Sequence, residues 1–182
     1  MLIPVHIKPY LVPFFFKEME GKEARYLNKK VKSVNIANVS SFGSIVRMLL
    51  VRTELPSKFD KLSFFLQISE SVKKEYKGSV YKVCSGKTSF LKVPEEVNNM
   101  LNDLLEDYFR LCFVYYLEGY KKSNDKAKIR PAIEDFMEDY ELYEFGFTCQ
   151  SLRTMYYREQ RKNRKLSRIQ YKTSPRAGSF LM

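Results

Sequence analysis

The chain has one histidine, His6, and no tryptophan. A single histidine excludes a His-based metal cluster or a histidine-rich catalytic centre within one subunit. The three cysteines, Cys84, Cys112 and Cys149, are widely separated and form no Cys-x-x-Cys pair, which excludes a zinc ribbon and a thioredoxin-like motif. They read as small hydrophobic residues of a reducing compartment. With 7 glycines and 7 prolines among 182 residues, collagen-like and low-complexity architectures are excluded. The longest apolar run, Leu111 to Leu117, falls far short of the roughly 20 residues that span a bilayer. The first residues are apolar but are broken by Pro4 and Pro9 and led by no basic segment. A secretory signal is therefore not expected, and the expected location is cytoplasmic.

What is present is aromatic and basic. Apolar residues make up 45% and aromatics 15%, enough for a buried core. Lys and Arg number 32 against 21 Asp and Glu, a net charge of +11. That charge is distributed in blocks: +10 over residues 1–93, −5 over 94–120, −2 over 121–150 and +8 over 151–182. A balance of this sign points to polyanionic partners.

Residues 1–93 read mainly as strands. Val31 to Ile36 alternates apolar and polar residues, and Leu62 to Ile68, Ser79 to Val83 and Thr88 to Val93 follow similar patterns. One helix is inserted, with Phe42, Ile45, Val46, Leu49 and Leu50 at helical spacing behind an N-cap at Ser40–Ser41. Pro4, Pro9 and Pro13 mark the segment from Ile3 to Phe16 as an edge strand or an extended arm. Pro94 suits the first position of a long helix to about Tyr120, with Glu95 and Glu96 in its first turn. Its expected buried face is Val97, Leu101, Leu104, Leu105, Tyr108, Leu111, Cys112 and Tyr115. A polar linker from Lys121 to Lys128 leads to a helix from Pro131 to about Leu142, and a last helix follows from Thr148.

The expected fold class is α+β, with an N-terminal antiparallel sheet bearing one inserted helix, a long core helix, and a C-terminal helical pair with a basic tail. The expected divisions are a mainly β subdomain over 1–93, the core helix over 94–120, the helical pair over 121–168 and a flexible tail over 169–182.

The segment from Thr148 to Arg168 carries the functional signal. On a helix, Arg153, Tyr157, Arg161, Arg164 and Arg168 fall within an arc of about 80°, while Leu152, Met155, Tyr156 and Leu166 lie opposite. Guanidinium groups spaced this way pair with phosphates and read guanine edges, and a tyrosine among them contacts phosphate or an exposed base. The candidate nucleic-acid-binding residues are Arg153, Tyr157, Arg158, Arg161, Lys162, Arg164, Lys165 and Arg168. Ile133, Phe136, Met137 and Tyr140 form an apolar stripe that supports this helix from the preceding one. Glu134, Asp135, Glu138 and Asp139 offer the competing role, intrachain pairing with those arginines.

Helix, turn with Gly146 and basic helix, over about residues 130–168, resembles the helix-turn-helix arrangement of DNA-binding proteins. The resemblance implies duplex DNA as partner, ahead of RNA. The chain as a whole also resembles small basic orphan proteins of bacteriophages and mobile elements. That likeness carries the alternative of a structural or assembly protein of a virion, a homo-oligomer held through residues 1–16 and the basic tail. A second basic cluster, Lys22, Arg25, Lys29, Lys30 and Lys32, precedes or lies within a strand. Phe64, Phe65, Tyr76, Tyr81 and Phe90 could supply an aromatic platform beside it.

No enzyme and no cofactor are expected. Asp103 with Asp107, Glu134 with Glu138, and Asp135 with Asp139 are helical carboxylate pairs that read as solvated faces, and no metal site is expected from them. Ser85-Gly86-Lys87-Thr88 resembles the end of a phosphate-binding loop, but Tyr81 stands where its first glycine must be.

Overall fold

In the computed structural model, residues 2–37, 39–53, 55–57, 59, 63–68, 90–123 and 128–161 are described. The expected strand at 79–83, Tyr76, Tyr81, Cys84 and everything beyond Arg161 lie outside them. The fold is α+β, and the chain divides into two compact units between Asn102 and Asp103.

The first unit is built on a four-stranded sheet. Its strands are β1 (Leu2–Val5), β2 (Lys22–Tyr26), β3 (Lys29–Ile36) and β5 (Phe64–Ile68), in the order β1-β5-β3-β2. The pairs β1–β5 and β2–β3 are antiparallel, as expected, but β3 and β5 run parallel, so the sheet is mixed. The cause is the inserted helix. A parallel neighbour needs a crossover of a dozen or more residues, and the connection from 37 to 63 holds α2 (Ser41–Leu49) and β4 (Val51–Thr53). β4 pairs with β6 (Phe90–Lys92) in a separate two-stranded sheet.

Strand alternation gives the main sheet one wholly apolar face of Ile3, Val5, Val34, Ile36, Phe64, Leu66 and Ile68, all buried. The helix α1 (Leu11–Glu18) lies against β3, with the Lys32 ammonium 5.3 Å from the ring of its Phe16. On the other face Tyr26, Val31 and Phe65 cluster with Leu2, Ala24 and Phe59. Phe64 and Phe65 are therefore core, not an exposed aromatic platform, and Phe90 is half-buried.

The N-terminal segment is both strand and helix. β1 is an edge strand, as Pro4 indicates, but α1 was not expected in a stretch punctuated by proline. Pro13 sits in the first turn of α1, where a backbone N–H has no intrahelical partner to lose. Leu11, Val12, Phe14 and Phe15 are buried in their own chain, so residues 2–18 do not form an extended arm. Past β1, the side-chain amide of Asn98 brackets His6: its Oδ1 accepts the His6 N–H at 2.9 Å and its Nδ2 donates to the His6 carbonyl at 2.6 Å. One turn on, Asn102 Oδ1 accepts the Lys8 N–H at 2.8 Å.

The inserted helix begins where the sequence puts it, with Ser40 Oγ accepting the Gly43 N–H at 3.0 Å. Val46 and Leu50 are buried, while Ile45 and Leu49 of the same stripe are exposed.

α3 (Glu95–Ser123) starts just after Pro94 and crosses the division between the units. Its buried face differs from the expected one. Leu101, Leu105 and Leu111 are buried, but Leu104, Tyr108 and Tyr115 are exposed, and Phe109, Phe113, Val114 and Leu117 take their place. In the second unit these residues meet α4 (Arg130–Asp139). Phe113 packs edge-on against Phe136 at 5.0 Å, and Phe109 stands 5.9 Å from it. A short 3-10 helix (Leu142–Phe145) and Gly146 then lead to α5 (Cys149–Arg161). Ala132, Ile133, Phe136 and Met137 of α4, Leu142, and Leu152 and Tyr156 of α5 complete this core. Cys112 and Cys149 are half-buried thiols.

Candidate nucleic-acid interface

The entry to α5 is fixed by two devices. Gly146 adopts φ 76°, and the Phe147 N–H donates to the Leu142 carbonyl while the Gly146 N–H donates to the Tyr143 carbonyl. This is a helix ending whose left-handed residue suits glycine. Thr148 then caps α5. Its Oγ1 accepts the Ser151 N–H at 3.0 Å, and the Ser151 hydroxyl accepts the Thr148 N–H at 3.0 Å. The pair forms a reciprocal capping box with serine in place of glutamate.

A polar lock fixes the rotation of α5. Tyr156 is fully buried, and its hydroxyl donates to Glu118 Oε1 of α3 at 2.8 Å. Gln160 Nε2, one turn later, donates to the same carboxylate oxygen at 2.8 Å and reaches the Tyr156 oxygen at 2.7 Å. Burial, and then the Glu118 carboxylate, push the Tyr156 phenol far above its ordinary range, so it remains a donor. With Leu152 and Glu159 also buried, the inner face of α5 is settled.

Helical geometry then decides the outer face. Arg153, Tyr157, Arg158 and Arg161 are all exposed, and Arg153, Tyr157 and Arg161 stand one turn apart along the helix. The Arg153 guanidinium lies 5.7 Å from the Tyr157 ring centroid. Among the described residues, none of these arginines makes an ion pair. Instead Glu134 is taken by Arg130 within α4, at 2.8 Å. Lys162, Arg164, Lys165 and Arg168 lie outside the described residues.

The folded chain adds cations that the linear reading did not place with the arginines. Lys121 at the end of α3, and Lys128 and Arg130 at the start of α4, line a groove of about 610 Å³ together with Thr148, Cys149, Gln150, Arg153 and Tyr157. The hydrogen bond and charge of Glu134 raise the Arg130 guanidinium above its ordinary value, so it stays cationic. In sequence, Lys121 and Lys128 are only the ends of a polar linker. In the folded unit they line the same groove as α5 residues.

The basic cluster of the first unit is placed differently. β2 and β3 form a hairpin in which Lys30 pairs with Glu23 at 3.3 Å and Lys29 lies 5.4 Å from the Phe59 ring. With Lys32 over Phe16, three of the five cations have partners within their own chain.

No protein-family model, curated protein or solved structure matches the chain.

Proposed function

We propose that the protein is a non-enzymatic nucleic-acid-binding protein that holds duplex DNA on the outer face of α5. The observation that carries this reading is the run of Arg153, Tyr157, Arg158 and Arg161 on one exposed face. It is supported from behind by the Tyr156–Glu118 lock and, among the described residues, has no intrachain counter-charge. Arginines held at one-turn spacing meet successive phosphates, and a guanidinium also reads the guanine edge in the major groove. Most of the affinity then comes from release of counterions, with one or two base contacts supplying preference. On continued helical spacing Arg164 and Arg168 fall on the same arc, with Lys162 and Lys165 beside it in sequence.

Fluorescence anisotropy with labelled duplex DNA over a salt series tests the proposal. About five phosphate contacts give a log–log salt slope near −4.5. A chain ending at Gln150 loses this binding. Binding that survives that truncation moves the site to the β2–β3 hairpin. Absence of binding at low salt by the full chain overturns the reading.

A further inference from the structure

The groove beside α5 has a different shape and chemistry from the helix face. The outer face of α5 is convex and suits a backbone that passes over it. The groove is concave, and its volume of about 610 Å³ lies in the range of sites that enclose small ligands. Lys121, Lys128, Arg130 and Arg153 line it, and among the described residues no carboxylate does. Glu134 engages Arg130 through Nε, and among the described residues the two Nη amines are not hydrogen-bonded. Cations gathered in a concavity repel one another, and their summed field draws in an anion.

Tyr157 adds a second chemistry. It is a flat aromatic side chain, 41% exposed, in the same wall as the cations. A base within a duplex is stacked and paired, so its face is closed to a side chain in a groove. Only an unpaired base can lie against such a ring. Anion-holding cations beside an aromatic wall are the requirements of a phosphate linked to a base.

We propose that this groove is a subsite for one unpaired nucleotide, with its phosphate held by Lys121, Lys128 and Arg130 and its base against Tyr157. The protein then prefers nucleic acid with a single-stranded end over blunt duplex. The proposal rests on the nucleic-acid reading above and adds to it the form of nucleic acid recognised.

The test uses the full chain and two labelled probes, a blunt duplex and the same duplex with a short phosphorylated overhang. The overhang probe binds about tenfold more tightly, the gain expected from stacking one base. The double variant Lys128→Gln/Arg130→Gln, at two exposed positions, abolishes that preference and leaves blunt-duplex affinity within about threefold, because neither residue belongs to the α5 face that carries the duplex. Tyr157→Phe keeps the preference and Tyr157→Ala loses it, since the ring and not its hydroxyl does the stacking. Equal affinity of the native chain for both probes, or a preference that survives the double variant, overturns the groove proposal and leaves the duplex reading standing. Failure to bind either probe at low salt overturns both.

Discussion

Two basic regions of this molecule have similar composition and different availability. On the β2–β3 hairpin, Lys30 is paired with Glu23, and Lys29 and Lys32 lie over Phe59 and Phe16. On α5, Arg158 and Arg161 project from a helix whose opposite face is locked, and Arg153 lies near the ring of Tyr157, itself part of the surface. Net charge alone ranks the hairpin region as the richer site. What distinguishes them is whether folding has already spent the cations. On the hairpin three of the five contact a carboxylate or a ring of their own unit, whereas among the described residues the α5 arginines meet no carboxylate.

The largest expected effect breaks the comparison directly. Arg153→Glu/Arg158→Glu/Arg161→Glu lowers duplex affinity about a hundredfold at low salt and makes the salt slope shallower by about 0.9 per lost contact. Lys22→Glu/Arg25→Glu on the hairpin changes affinity less than about threefold, because few phosphates are met there. Equal losses from the two variants would mean that the regions act as one surface.

Next in size is the lock. Tyr156→Phe leaves Glu118 without its phenol donor and costs the helical unit about 1–3 kcal/mol, read by urea unfolding. The native chain also carries an alkaline signature. The Tyr156 phenol is raised above its ordinary value near 10, so the unfolded chain loses this proton first as pH rises. Stability from this group is complete below about pH 10 and declines above it, and Tyr156→Phe removes that decline.

The smallest effects contrast two turns. The hairpin connection places Leu27 and Asn28 at φ 47° and 65°, a geometry that glycine and asparagine adopt more easily than leucine. Leu27→Asn therefore stabilises the sheet unit by about 1 kcal/mol. Gly146→Ala, at φ 76° with open space around it, destabilises the helical unit by a similar amount, about 1 kcal/mol. Thermal unfolding of the two single variants reads both signs.

Elements with local signals were legible in the sequence. The alternation of Val31 to Ile36 located β3, the Ser40 cap and the Val46 stripe located α2, and Pro94 located the start of α3. β2 was not legible, because its Lys22–Tyr26 run reads as a charge cluster and its turn lacks glycine. The rotation of α3 failed for a different reason. Its 29 residues carry apolar side chains around much of the circumference, and only Phe136 and its neighbours on α4 decide that Phe109 and Phe113 turn inward while Tyr108 turns out. At the candidate site, Arg153, Tyr157, Arg158 and Arg161 were found because 3.6-residue spacing is a local property. Lys121, Lys128 and Arg130 were not, because their place in one groove with α5 residues is set by tertiary packing and not by local spacing.

The amides of Asn98 and Asn102 bear on the margin of the sheet. An edge strand offers unpaired donors and acceptors to any extended chain that meets it. Beyond Val5 these groups are answered by two side chains one helical turn apart, which present to His6 and Lys8 the bonding a neighbouring strand would supply. The first turns of α3 thus serve as a counterfeit strand. Replacing both asparagines with leucine would leave the helix formed and the margin open, and such a chain is expected to enter aggregates by edge-to-edge addition before it loses its fold.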